Sequence, residues 1–153
     1  MKNRYRPSVE QLEFRETPSV YFLRGAGGVE VDWSLNASWS LQDGSSGQVP
    51  TAQDVAVLDA ASPSTYLGVN STTGRLDMSV YPGILTVQPS VTLTVDATIP
   101  QTYGSNAIGP TATIQLQNAA KLVLAGGTDM TCNGGYLEPS HLDWELDPGI
   151  VAI

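Results

Sequence analysis

Two stretches, Leu85-Thr86-Val87-Gln88-Pro89-Ser90-Val91-Thr92-Leu93-Thr94-Val95 and Ile114-Gln115-Leu116-Gln117-Asn118-Ala119-Ala120-Lys121-Leu122-Val123-Leu124, share one pattern. Each has an alternating triplet, a short polar corner, and a second alternating triplet eight residues after the first. Alternation of apolar and polar residues marks a strand with one buried and one wet face. The second stretch begins twenty-nine residues after the first, within the period of repeat architectures whose successive turns stack on one another. A longer polar run, Ile99 to Pro110, separates them. Hairpins of a sandwich fit the same spacing, because both architectures need apolar-in, polar-out strands joined by tight turns. The expectation is an all-β protein: a parallel β-solenoid (β-helix) of few coils, with an antiparallel β-sandwich as the alternative.

Toward the N-terminus, Val29, Val31 and Trp33 alternate with Glu30, Asp32 and Ser34, and Trp39 follows after Asn36-Ala37-Ser38. Asp43-Gly44-Ser45-Ser46-Gly47 reads as a turn, and the apolar run Ala52 to Leu58 after Pro50 reads as a buried strand. Tyr66 to Val69 and Leu76 to Val80 read as strands joined by a turn over Asn70 to Gly74. The two tryptophans are expected to cap the open end of the core, each indole N–H satisfied by a loop carbonyl; the alternative is a platform on which a sugar stacks.

The composition agrees with β-structure. Val, Thr, Ser, Gly, Leu and Ala fill the chain, and β-branched side chains fit a pleated surface. A chain of 153 residues fits one domain and buries roughly two thirds of the surface its unfolded form exposes. The formal net charge is -8, yet Lys2, Arg4, Arg6, Arg15 and Arg24 stand in the first twenty-four positions, leaving Arg75 and Lys121 beyond them. So acidic a body lacks the cations that replace counterions on phosphates, which argues against a nucleic-acid partner. Cys132 is the only cysteine, which excludes an intrachain disulfide and a cysteine-based zinc site. No stretch approaches the ~20 apolar residues of a membrane span.

Residues 1–24 differ in kind from the rest. Ser8 with Gln11 has capping-box spacing, and Val9 to Glu16 reads as a short amphipathic helix ended by Pro18. Gly25-Ala26-Gly27-Gly28 reads as a flexible joint, so the expected division is a mobile basic leader and linker over 1–28 and a β-domain over 29–153. The run Val9-Glu10-Gln11-Leu12-Glu13, with Arg15 and Thr17-Pro18-Ser19, resembles the V-E-x-L-E-D-R-x-x-P-S leader of large surface and exported proteins of planctomycete bacteria. Phe14 stands where that leader has Asp. The resemblance implies an extracellular or cell-surface location.

A second resemblance lies in Trp33-Ser34, Ala37-Ser38-Trp39-Ser40, Gly47, Val49-Pro50, Ala52 and Asp54-Val55-Ala56-Val57. It is similar to the opening segment of autotransporter-like and other repeat-built surface proteins, with Leu58 in place of their phenylalanine. In those families the segment begins a right-handed β-solenoid, so a right-handed coil is what the resemblance implies here.

Sites for chemistry are few. General acid–base catalysis needs a histidine with an orienting acid, or two carboxylates, in one pocket. His141 is the sole histidine and shares a strand face with Asp143, Glu145 and Asp147, while Leu142, Trp144 and Leu146 share the other. Asp143, Glu145 and Asp147 are the weak candidates for metal ligands, without a calcium-loop motif around them. No catalytic residue and no cofactor is expected. Trp33, Trp39, Tyr66 and Trp144 are the candidate ligand-binding residues, because aromatic rings stack on sugar faces. The expected function is a non-catalytic, secreted or surface-associated structural or adhesive β-module. A carbohydrate-binding domain is the first alternative, and a fragment of a polysaccharide-degrading enzyme the second. The expected partners are a polysaccharide or another surface protein, with self-association through an open solenoid end.

Overall fold

A computed structural model describes residues 17–25, 29–96, 99, 106–125, 130–132 and 136–139. Among them the chain forms β1 (Val20–Leu23), β2 (Val31–Asp32), a 3-10 turn (Asn36–Ser38), β3 (Trp39–Ser40), β4 (Val55–Val57), β5 (Thr65–Leu67), β6 (Ser71–Thr73) and β7 (Arg75–Met78). β8 (Ile84–Val87), β9 (Thr92–Asp96), β10 (Ala107–Ile108), β11 (Thr113–Leu116), β12 (Lys121–Ala125), β13 (Thr131–Cys132) and β14 (Tyr136–Pro139) follow. No helix among the described residues is long and apolar enough to cross a membrane.

The strands form three sheets. Sheet A runs β3-β1-β4-β7-β10-β13, sheet B runs β2-β5-β8-β11-β14, and sheet C runs β6-β9-β12. Among the described strands every pairing is parallel except β1 with β3. From β4 to β12 the chain visits A, B and C in turn, and each strand from β4 to β11 pairs with the one three places on. This is an all-β fold of parallel sheets.

The alternative, an antiparallel sandwich, does not form among the described residues, and the corners explain why. Leu85 pairs with Thr65 on one side and Ile114 on the other, while Leu93 pairs with Ser71 and Leu122. The two triplets of one stretch therefore lie in different sheets, and the twenty-nine-residue repeat brings equivalent triplets side by side. Ser90 and Ala119 occupy equivalent corner positions, with φ of 63° and 56°. A left-handed residue there redirects the chain into the next sheet, although the conformation costs an L-residue about 1–2 kcal/mol.

The alternation sends one set of side chains inward. Tyr21, Leu23, Ala56, Leu76, Met78 and Ile108 come from sheet A, with Leu58 directly after β4; Leu67, Leu85, Val87, Ile114 and Leu116 from sheet B; and Leu93 and Val95 from sheet C. Fully burying one such large apolar side chain is worth about 1.5–3 kcal/mol. Close stacking of the corners also demands small residues. A Cβ on Gly109 would meet the Ser79 carbonyl carbon at 2.5 Å and the Met78 oxygen at 3.1 Å.

Two boundaries differ from expectation. Val20–Leu23, placed in the leader, form β1 in the interior of sheet A, paired with β3 and β4, and Leu23 is fully buried. The 28/29 division therefore does not separate the β-structure from what precedes it; a four-residue strand between charged and glycine-rich neighbours carries too short an alternation to stand out. The turn expected over Asn70 to Gly74 contains β6, whose Ser-Thr-Thr sequence hides a strand that buries only Thr73. The expected helix over Val9 to Glu16 lies outside the described residues.

Candidate functional site

Trp33 and Trp39 meet at the first end of the sheets. Trp33 follows β2, and its amide donates to the Tyr66 carbonyl at 2.9 Å, which continues the parallel register and turns the ring inward. Its indole N–H donates to Ser71 Oγ of β6 at 3.2 Å. The large ring thus lies over the first strand of sheet C. The Trp39 indole donates to the Trp33 carbonyl at 2.8 Å, and the rings meet edge to face, centroids 4.7 Å apart at 79°.

Side-chain bonds hold the connecting turn. Ser38 Oγ donates to the Asp32 carbonyl at 2.6 Å, and Asn36 Oδ1 accepts from the Val49 amide at 3.0 Å. Trp33 is 0% and Trp39 2% exposed. A ring that stacks on a sugar must present a face to solvent, and these two present none. The alternative of a sugar platform at Trp33 and Trp39 is not formed, because both rings are buried; the pair packs into the core.

Tyr66 is placed differently. It is partly exposed on the outer side of sheet B, with Asp32 of β2 and Thr86 of β8 in register on either side. One step along the strands, Ser64 lies beside the exposed Ile84, whose amide donates to Ser64 Oγ at 3.3 Å. The charge of Asp32 is the main cause that raises the Tyr66 phenol above the ordinary tyrosine value; burial, a hydrogen bond to Asp32 and the charge of Glu30 act the same way. A negative charge nearby disfavours the phenolate. The result is an aromatic ring flanked by carboxylates and hydroxyls on a flat sheet face. Trp144, Asp143, Glu145 and Asp147, with His141, lie outside the described residues.

The other charged pair near this end is structural. Arg24 donates two parallel bonds to Asp59, at 2.9 and 2.8 Å, and a third to Ser62 Oγ at 3.2 Å; its guanidinium lies 5.1 Å from the Phe22 ring centroid. Burial works to raise the Asp59 carboxyl. The hydrogen bond and charge of Arg24, with bonds from Ala61 and Ser62, outweigh it and hold the group below the usual carboxylate range. The pair ties the end of β1 to the corner after β4.

Arg75 and Asn106 were not singled out by sequence, yet both are buried polar residues. The available signal was Arg75 at the head of an alternating strand, directly after Gly74. Among the described residues, no group of three or more His, Cys, Asp or Glu side chains is placed to hold a metal ion. A scan against protein-family models, a search of curated proteins and a search of solved structures each returned no match.

Proposed function

We propose that the chain is a right-handed parallel β-solenoid of few coils, acting as a non-catalytic structural or adhesive module outside the cell or on its surface. The observation that carries this reading is the in-register parallel pairing of each strand from β4 to β11 with the strand three places on. Equivalent corners at Ser90 and Ala119 support a repeating course. The sealed tryptophan end supports a stack that starts there, since repeat proteins need a terminal cap. Handedness and location rest on the resemblances of the opening segment and the leader.

Adhesion suits the outer faces. Tyr66, Thr86 and Gln115 line one face in register, and Thr72, Thr94 and Val123 another. Such in-register rows on open sheet faces offer broad contact. The carbohydrate-binding reading keeps one supporting observation, the Tyr66 ring beside Asp32.

Co-sedimentation of the purified protein with washed bacterial envelopes and with insoluble polysaccharides tests both. The adhesive reading expects saturable binding with no release of reducing ends. Release of reducing ends, or binding to none of these surfaces, would overturn it. Loss of polysaccharide binding in a folded Tyr66→Ala variant, with envelope binding intact, would favour the carbohydrate reading.

A further inference from the structure

Where sheet C hands the chain back to sheet A, two buried side chains carry N–H groups that bind nothing among the described residues. Arg75 opens β7 and is 4% exposed; its Nη2 donates to the Ile99 carbonyl at 2.6 Å, while Nε has no partner. Asn106 directly precedes β10 and is 3% exposed. Its Oδ1 accepts from the Leu76 amide at 2.8 Å, which fixes the carboxamide against β7 one residue from Arg75 and leaves Nδ2 without a partner. Ile99 covers the corner: it is 2% exposed, and a Cβ on Gly74 would lie 2.6 Å from its Cγ1.

The unmet groups restrict what fits. Both are donors. The guanidinium keeps its proton at any physiological pH, so the corner stays positively charged. Burial moves the Arg75 pKa downward from the ordinary arginine value, with no carboxylate among the described residues acting against it. The buried carboxylate of Asp54 is turned to Thr51, accepting from its amide at 3.0 Å and its hydroxyl at 2.7 Å. Arg24 and Asp59 form the ion pair seen among the described residues. A buried cation is strongly unfavourable without a counter-charge, and each unmet buried donor adds to the cost.

We propose that this corner binds a small monovalent inorganic anion, with chloride as the physiological case, accepting from Arg75 Nε and Asn106 Nδ2. The anion neutralises the guanidinium and fills both donors at once. It also secures the contact of Arg75 with the Ile99 carbonyl. A water molecule would meet the same donors but bring no charge, and the experiment separates the two.

Thermal unfolding of the full chain is followed as sodium bromide replaces sodium gluconate at constant ionic strength, gluconate being too bulky for the corner. Specific binding to the native state raises the midpoint with anion concentration. The wild type should gain stability with bromide relative to Asn106→Asp. That variant places a carboxylate beside Arg75, keeps the oxygen that accepts from Leu76, and should be more stable than wild type in gluconate with no response to bromide. Arg75→Met should also lose the response. If Arg75→Met fails to fold, bromide anomalous diffraction from wild-type crystals decides: a peak between Arg75 and Asn106 supports the site. Overlapping bromide responses of wild type and Asn106→Asp, or no peak at the corner, would overturn it.

Discussion

Replacing Trp39 with alanine removes the centre of the sealed end. The ring is 2% exposed, stacks edge to face on Trp33, and donates its N–H to the Trp33 carbonyl at 2.8 Å. Truncating a buried tryptophan to alanine costs about 3–5 kcal/mol. The aromatic pair accounts for about 0.5–1.5 kcal/mol beyond area burial, and a buried carbonyl left without its donor costs about 1–3 kcal/mol unless water enters the cavity. These contributions overlap in one cavity, so the expected loss for Trp39→Ala is about 4–5 kcal/mol. At about 2–4 °C per kcal/mol for a chain of this size, the midpoint should fall by roughly 10–20 °C. Trp39→Phe keeps most of the ring and removes the N–H, and should lose about 1–3 kcal/mol. Urea unfolding followed by far-ultraviolet circular dichroism measures both, with the slope unchanged if only stability has moved. A loss below about 1 kcal/mol in Trp39→Ala, with saturable quenching by a polysaccharide abolished, would refute the cap and restore the sugar platform.

Other perturbations follow from the same geometry. Gly109→Ala drives a methyl group into the Ser79 and Met78 backbone, where no rotamer offers relief; it should cost at least about 1–3 kcal/mol in the same urea assay. Asp59 is held below the usual carboxylate range, so its pairing with Arg24 stabilises the fold above the unfolded value of about 4 and is lost as pH falls through the folded value. Stability curves of wild type and Asp59→Asn should therefore run apart at neutral pH and converge under acid. In Asp32→Asn the carboxylate no longer opposes ionisation of Tyr66, so its phenol should titrate closer to 10, read by carbon-13 chemical shift. The Tyr81 phenol, pushed up to about 12 chiefly by burial, should stay unmoved in that titration.

The repeats were legible because they depend on local pattern. Leu85-Thr86-Val87 and Ile114-Gln115-Leu116 declared strands of one period, and the structure pairs them residue for residue. The choice between coil and hairpin was not legible, because it depends on whether the corner turns the chain into a new sheet or reverses it. Ser90 and Ala119 make that choice through left-handed backbone, a conformation that sequence flags only when glycine or asparagine supplies it. β1 and β6 escaped notice for a related reason. Four residues after a charged leader, and Ser-Thr-Thr between polar neighbours, become strands through pairing with β4 and β9 rather than through their own alternation. Exposure of the tryptophans was equally hidden, since a capping ring and a sugar platform have the same sequence. Arg75 and Asn106 became notable only once the crossing at Ile99 had buried them.

The central claim is the parallel register that places β8 against β11 instead of β9. Nuclear Overhauser contacts across the strands measure it directly in solution. Interstrand contacts should link Leu85 with Ile114 and Thr86 with Gln115 in parallel spacing, and Leu93 with Leu122 in the same way. An antiparallel set of contacts joining Leu85 to Leu93, with none from Leu85 to Ile114, would contradict the account.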